Sequence, residues 1–175
     1  MRLVQKTLEK SPTFLTFSAK CNSSCAESIA RNKRVAYLGN YPSLTILNIT
    51  YGDTSAKDWL SLQLEDLNSF YGSSVPMDAS QIKQTASIIT LEPKFMMLKV
   101  TEYLLFFTMF KLGKFGEVYG SLKPSDITKA LYKFIGIRNS ELSKIEAEEE
   151  KIKRENEFKN AITYDEWQKI KENKR

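Results

Sequence analysis

Four stretches of this chain repeat apolar residues at helical spacing, and together they predict a mainly α-helical protein. In the first, Leu60, Leu64, Leu67 and Tyr71 fall on one stripe, widened by Trp59, Leu62 and Phe70. Ser55 and Asp58 form a capping-box pattern at its head, and Gly72-Ser73-Ser74 and Pro76 stop it. In the second, Asp78 and Gln81 make another capping box. Ile82, Ala86 and Ile89 then recur at helical spacing to an end near Leu91, and Pro93 follows where proline is expected. The third stretch, Val100–Leu112, is apolar on nearly every face, so neighbours must cover it on several sides; Gly113 supplies its stop. Pro124 opens the fourth at a favoured N-terminal position. Ile127, Leu131, Phe134 and Ile135 form its stripe, and Gly136 is the expected end.

The remaining segments carry weaker patterns. Lys114–Lys123 is short and glycine-rich, which predicts a turn or small hairpin. Before Gly39 no period is strong. Thr13–Phe17 reads as a short strand and Ala26–Ala36 as a helix with a basic face. Ser43–Thr50 begins either a helix or a strand, its β-branched content favouring the strand. From Arg138 the chain is polar, with i,i+4 pairs Glu149–Lys153 and Glu150–Arg154 in the helpful orientation. Leu142, Ile145 and Ile152 hint at a heptad seam, and Thr163 with Glu166 makes a third capping box. The predicted organisation is a basic, partly irregular N-terminal arm over residues 1–40 and a helical core domain over 41–137. The core has about four helices and a short Gly-rich turn or hairpin, followed by a projecting charged helical tail over 138–175.

Charge changes this picture at one end. Met1–Arg34 holds seven basic residues (Arg2, Lys6, Lys10, Lys20, Arg31, Lys33 and Arg34) against Glu9 and Glu27, while the rest of the chain is balanced, so the whole net charge of +5 sits there. Such an arm suits an anionic partner, most often nucleic acid, or is simply a solvated end. Arg31, Lys33 and Arg34 are its candidate contacts. A second candidate set lies in the Gly-rich run, where Lys111, Lys114 and Lys123 flank Phe115 and Tyr119. Cations interleaved with aromatics suit single-stranded nucleic acid. The same aromatics can instead lid the end of the apolar helix, with the glycines turning the chain. In the tail, Ile152, Phe158 and Trp167 are isolated apolar residues on a polar segment, and are the candidate contacts for a protein partner.

Composition removes several chemistries. There is no histidine, the usual general base near neutral pH and the commonest metal ligand. Cys21 and Cys25 cannot close a four-ligand zinc site, and CNSSC is not a CxxC redox motif, so both read as reduced thiols. LGKFGEVYGSLK over 112–123 looks like a kinase glycine loop, but only Gly113-x-x-Gly116 of the required spacing is present, and a histidine-containing catalytic motif cannot be spelled. No P-loop pattern occurs, and the GxxG alone is a weak match to a KH loop. Glu65 and Asp66 are adjacent and diverge, and Glu148–Glu150 reads as a solvated face. No catalytic residue, metal or cofactor is therefore expected.

Met1–Lys20 has no uninterrupted apolar stretch and no small-residue cleavage site, so no secretory signal is read and a cytoplasmic location in a bacterial host cell is expected. As a helix, Val100–Leu112 would cover only about 20 Å of a roughly 30 Å hydrocarbon core, so no membrane span is expected.

The pattern from Tyr51-Gly52 through Trp59-Leu60, Leu98-Lys99, Glu102, Phe106-Phe107, Phe110-Lys111, Gly113, Phe115-Gly116, Tyr119-Gly120, Pro124, Ile127, Leu131 and Phe134 resembles a family of small proteins encoded by phages and mobile elements of gut bacteria. The resemblance covers roughly residues 36–140. It is to a family identified only as a domain of unknown function. It implies a helical, intracellular mobile-element protein and carries no catalytic set. The expectation is a non-enzymatic accessory in DNA replication or its control, contacting single-stranded or duplex DNA and a protein partner. The alternatives are a structural or virion-assembly protein and a small regulator of a host protein. The oligomeric state is left open.

Overall fold

The computed structural model describes residues 2–72, 76–118 and 121–159. Ten helices run through them. They are α1 (Arg2–Lys10), α2 (Phe14–Lys20), α3 (Ser23–Arg31), α4 (Lys33–Leu38), α5 (Leu44–Tyr51), α6 (Ser55–Tyr71), α7 (Ala79–Leu91), α8 (Pro93–Met96), α9 (Val100–Lys111) and α10 (Pro124–Lys159). No strand occurs among the described residues, and the protein is mainly helical. The chain divides into two units, one up to Gly136 and one from Ile137. Among the described residues no helix is long and apolar enough to cross a membrane.

The first unit is organised around α9, as its all-round apolar pattern requires. Val100, Tyr103, Leu104, Leu105 and Phe106 are buried, and so are the polar Thr101 and Glu102. α3, α4 and α6 pack against it. From α10, Phe134 meets Phe106 edge-on, with ring centroids 5.6 Å apart. Each fully buried apolar side chain of this size contributes about 1.5–3 kcal/mol. The ends of α4, α5 and α9 are joined by polar contacts. Val100 N–H donates to the Pro42 carbonyl at 3.0 Å and Leu44 N–H to the Leu98 carbonyl at 3.2 Å, forming an isolated antiparallel bridge between Ser43 and Lys99. Thr101 Oγ1 donates to the Ala36 carbonyl at 2.9 Å, and Lys99 Nζ donates to the Tyr37 and Gly39 carbonyls. The cation and the hydroxyl thus meet carbonyls at the end of α4, where a helix leaves acceptors open; the Gly39 carbonyl also accepts from Tyr41 N–H at 2.9 Å.

Several local expectations hold. Asp78 and Gln81 form the capping box of α7. Gly72 caps α6 in the left-handed conformation (φ 53°), and Gly113 follows α9 at φ 69°. Others are corrected. Thr13–Phe17 is not a strand: Thr13 is the N-cap of α2, in a capping box with Thr16. Ser43–Thr50, left open between helix and strand, takes the helical alternative: the Ser43 hydroxyl caps α5 and Leu44 and Leu47 are buried, so tertiary packing overrides β-branched content. The helix expected over Ala26–Ala36 is broken at Asn32, which ends α3 and precedes α4. The first forty residues, expected to be partly irregular, carry four short helices within the first unit, with α1 against α5 and both α3 and α4 against α9.

Two more corrections concern helix ends. Ser55 is buried at the first position of α6, while Thr54 is the capping position and its hydroxyl donates to Asp58 Oδ2 at 2.9 Å. Pro93 follows the end of α7 as expected, and also opens α8. Gly136 does not end the fourth helix. It is helical without a positive φ, and α10 runs on to Lys159. The Gly-rich run turns after α9 with Gly113 and Gly116 at positive φ and forms no strand over its described residues; Tyr119 and Gly120 lie outside them.

In the second unit the described residues are a polar, exposed helix. Glu150 and Arg154 form the expected pair at 2.5 Å, and Lys153 lies 3.9 Å from Glu157. Ile152 and Phe158 are exposed, Phe158 at 84%. Thr163, Glu166 and Trp167 lie outside the described residues.

Candidate functional site

Three exposed lysines of the first two helices line one cleft. Lys6 and Lys10 stand one turn apart on α1, where like charges at i,i+4 repel by about 0.2–0.5 kcal/mol in an isolated helix. Lys20 arrives from the last turn of α2, and its Nζ donates to the Lys10 carbonyl at 2.5 Å. That contact caps the end of α1 and places the Lys20 ammonium against its last turn. An ammonium carries three donors, so Lys20 retains two for another acceptor. The cleft has a volume of about 530 Å³ and is completed by Ser11, Cys21 and the Asn40–Pro42 turn, with Glu9 as its one carboxylate.

The cleft walls are held by the core. Trp59, buried in α6, donates its Nε1 to the Cys21 carbonyl at 2.8 Å, and Tyr51 donates its hydroxyl to the Ser11 carbonyl at 2.5 Å. Tyr41 lies across Gly39, where a Cβ would come within 2.9 Å of the ring and 2.4 Å of the Val35 carbonyl. Gly39 thus lets the Tyr41 ring settle at the cleft edge. The Cys21 thiol is pushed up to about 11, chiefly by burial and further by the neighbouring Cys25, with Lys20 opposing. It is a neutral thiol at physiological pH, neither a nucleophile nor an added negative charge.

The residues singled out from sequence are not all brought together. Arg31, Lys33 and Arg34 are exposed, as expected of a contact surface. Arg31 is paired with Glu27 at 2.5 Å. Lys111 does not face solvent with the Gly-rich turn. Its Nζ lies 2.5 Å from Asp66 Oδ2 and 5.2 Å above the Phe70 ring. This ion pair sits beside Arg31 on a groove of about 300 Å³ floored by Leu104 and Phe107 of α9. Lys114 and Lys123 are exposed. Phe115 is half-buried and stacks on the core, with its centroid 5.4 Å from Phe106 and 6.1 Å from Phe110, while Lys133 donates to its carbonyl at 3.2 Å. Phe115 therefore lids the helix end, and Tyr119 lies outside the described residues.

The cleft lysines were visible in the sequence only as part of the basic excess. The i,i+4 spacing of Lys6 and Lys10 was the available signal, but the approach of Lys20 needs the α1–α2 turn. Among the described residues no three Cys, Asp or Glu side chains come together as a metal site requires.

Residues 76–175, more than half of the chain, match the model of a family of unknown function, DUF6633. The chain belongs to this family. No curated protein and no solved structure matches the chain. The span corrects the expected extent of the resemblance: DUF6633 takes in the tail after Ser140 and leaves residues 1–75 outside. The family region thus runs from the start of α7 onward, whereas the lysine cleft is built from residues before it.

Proposed function

We propose that this protein is a non-enzymatic accessory factor of a phage or mobile element that binds nucleic acid in the bacterial cytoplasm and acts in DNA replication or its control. The lining of one cleft by Lys6, Lys10 and Lys20, against a single carboxylate, carries this reading. A concave surface with an excess of cations favours an anionic partner, and phosphodiesters are the abundant polyanion of the cytoplasm. Arg31, Lys33 and Arg34 are exposed as well, and are further candidate contacts. Ile152 and Phe158, apolar and exposed on a charged helix, support a protein partner for the second unit.

The test is the binding of a labelled oligonucleotide to the full chain across a salt series. Affinity is expected to fall with salt, with a log–log slope near −2 if three phosphates are neutralised. The Lys6→Gln/Lys10→Gln/Lys20→Gln variant is expected to lose at least about tenfold in affinity and most of that slope. No binding at low salt would overturn the reading.

A second reading, an assembly role, is favoured by the exposure of Phe158. It requires the full chain to associate and a chain ending near Ser140 to be monomeric. If both run as monomers, the assembly role is lost.

A further inference from the structure

We infer that the Lys6–Lys10–Lys20 cleft is a single-strand site, taking an unpaired nucleotide of a nucleic acid and not a duplex. The inference rests on the nucleic-acid reading and narrows it. Proteins that read duplex DNA present a protruding helix or ribbon to a groove, or an extended basic surface to the outside of the cylinder. This site is the reverse of both. It is concave, and three exposed lysines line its cavity of about 530 Å³, within the usual size of a small-ligand pocket. A base pair in a stacked duplex cannot enter such a cavity, whereas an unstacked nucleotide can.

The lining divides as a nucleotide does. Lys6, Lys10 and Lys20 provide point charges for the phosphate, and Lys20 keeps free donors beyond its contact with the Lys10 carbonyl. Tyr41, half-buried and set across Gly39, offers an aromatic wall on which any base can stack. The Asn40 amide beside it can donate and accept. With the Cys21 thiol neutral, Glu9 is the one negative group on the lining. Charge at one side, an aromatic at another and a polar edge between them are the elements of sequence-tolerant single-strand binding.

The experiment measures affinities of the full chain for a labelled thymidine strand of about a dozen nucleotides and for a blunt duplex of equal length, within the range of single-strand site sizes. Thymidine monophosphate and inorganic phosphate are run as competitors. The strand is expected to bind at least about tenfold tighter than the duplex. Tyr41→Leu is expected to weaken the strand about fivefold or more with the lysines intact, while Tyr41→Phe retains affinity, which separates lost stacking from a lost fold. Equal affinity for strand and duplex would overturn the single-strand site while leaving nucleic-acid binding in place. So would competition by the monophosphate or by phosphate at concentrations matching the strand, which would assign the cleft to a free phosphate compound. Failure to bind either nucleic acid would remove the nucleic-acid reading and this inference together.

Discussion

Lys111 holds Asp66 across the α6–α9 contact, its Nζ 2.5 Å from Oδ2, and rests over the Phe70 ring. The side chain that sequence spacing grouped with the basic turn is thus spent on joining two core helices. Lys111→Met is expected to cost about 0.5–1 kcal/mol, since both partners are partly exposed and solvent screens them. Affinity for nucleic acid should be unchanged, in contrast to Lys10→Gln. Urea denaturation beside strand binding checks both halves, and a large loss of affinity for Lys111→Met would return Lys111 to the binding surface.

Lys99 is expected to matter more for stability. Its ammonium donates to the Tyr37 and Gly39 carbonyls at 2.6 and 2.9 Å. Charge-assisted hydrogen bonds of this kind are worth about 1.5–3 kcal/mol, and Lys99→Met is expected to fall in that range. Because α4 ends at the turn that carries Tyr41, the variant should also weaken strand binding. A shift in the urea midpoint of under a tenth of the wild-type value would contradict the capping role.

Gly136 sits exposed and helical inside α10, with open space where a Cβ would go. Gly136→Ala is therefore expected to raise stability by about 0.5–1 kcal/mol, the difference between the two residues in a helix interior. Calorimetry should show a higher Tm. A lower one would mean that glycine is needed there for another conformation.

Cys21 predicts an alkaline dependence. Its thiol is raised by burial from 9.0 to about 11 in the folded chain, so folding favours the protonated form. The contribution is complete below the unfolded value of 9.0 and is lost as pH rises through the folded value of about 11. Two pKa units correspond to about 2–3 kcal/mol in order of magnitude. Tyr51, Tyr71 and Tyr103 are raised by burial too and add to the same trend, so the thiol is isolated by comparison with Cys21→Ala. The stability difference between the two chains should shift in the variant's favour from pH 8 to pH 11. A constant difference would remove the thiol from the account.

Periodicity and capping by themselves determined the helical class and the middle of the fold. α7 is legible from Asp78 and Gln81, and α9 from its apolar run, because capping and a full apolar surface are properties of neighbouring residues. The spacing of the Gly-rich run, also local, keeps only Gly113 and Gly116 of a kinase-like loop. Tertiary structure decided the first forty residues. Helices of six to nine residues are marginal alone, so α1 to α4 depend on packing on α5 and α9, and no strong apolar period announces them. It also decided which charges remain available. Lys6, Lys10 and Lys20 meet at one cleft while Lys111 is drawn to Asp66, because the position of an ammonium depends on the helix facing it, and that neighbour can be tens of residues away in sequence.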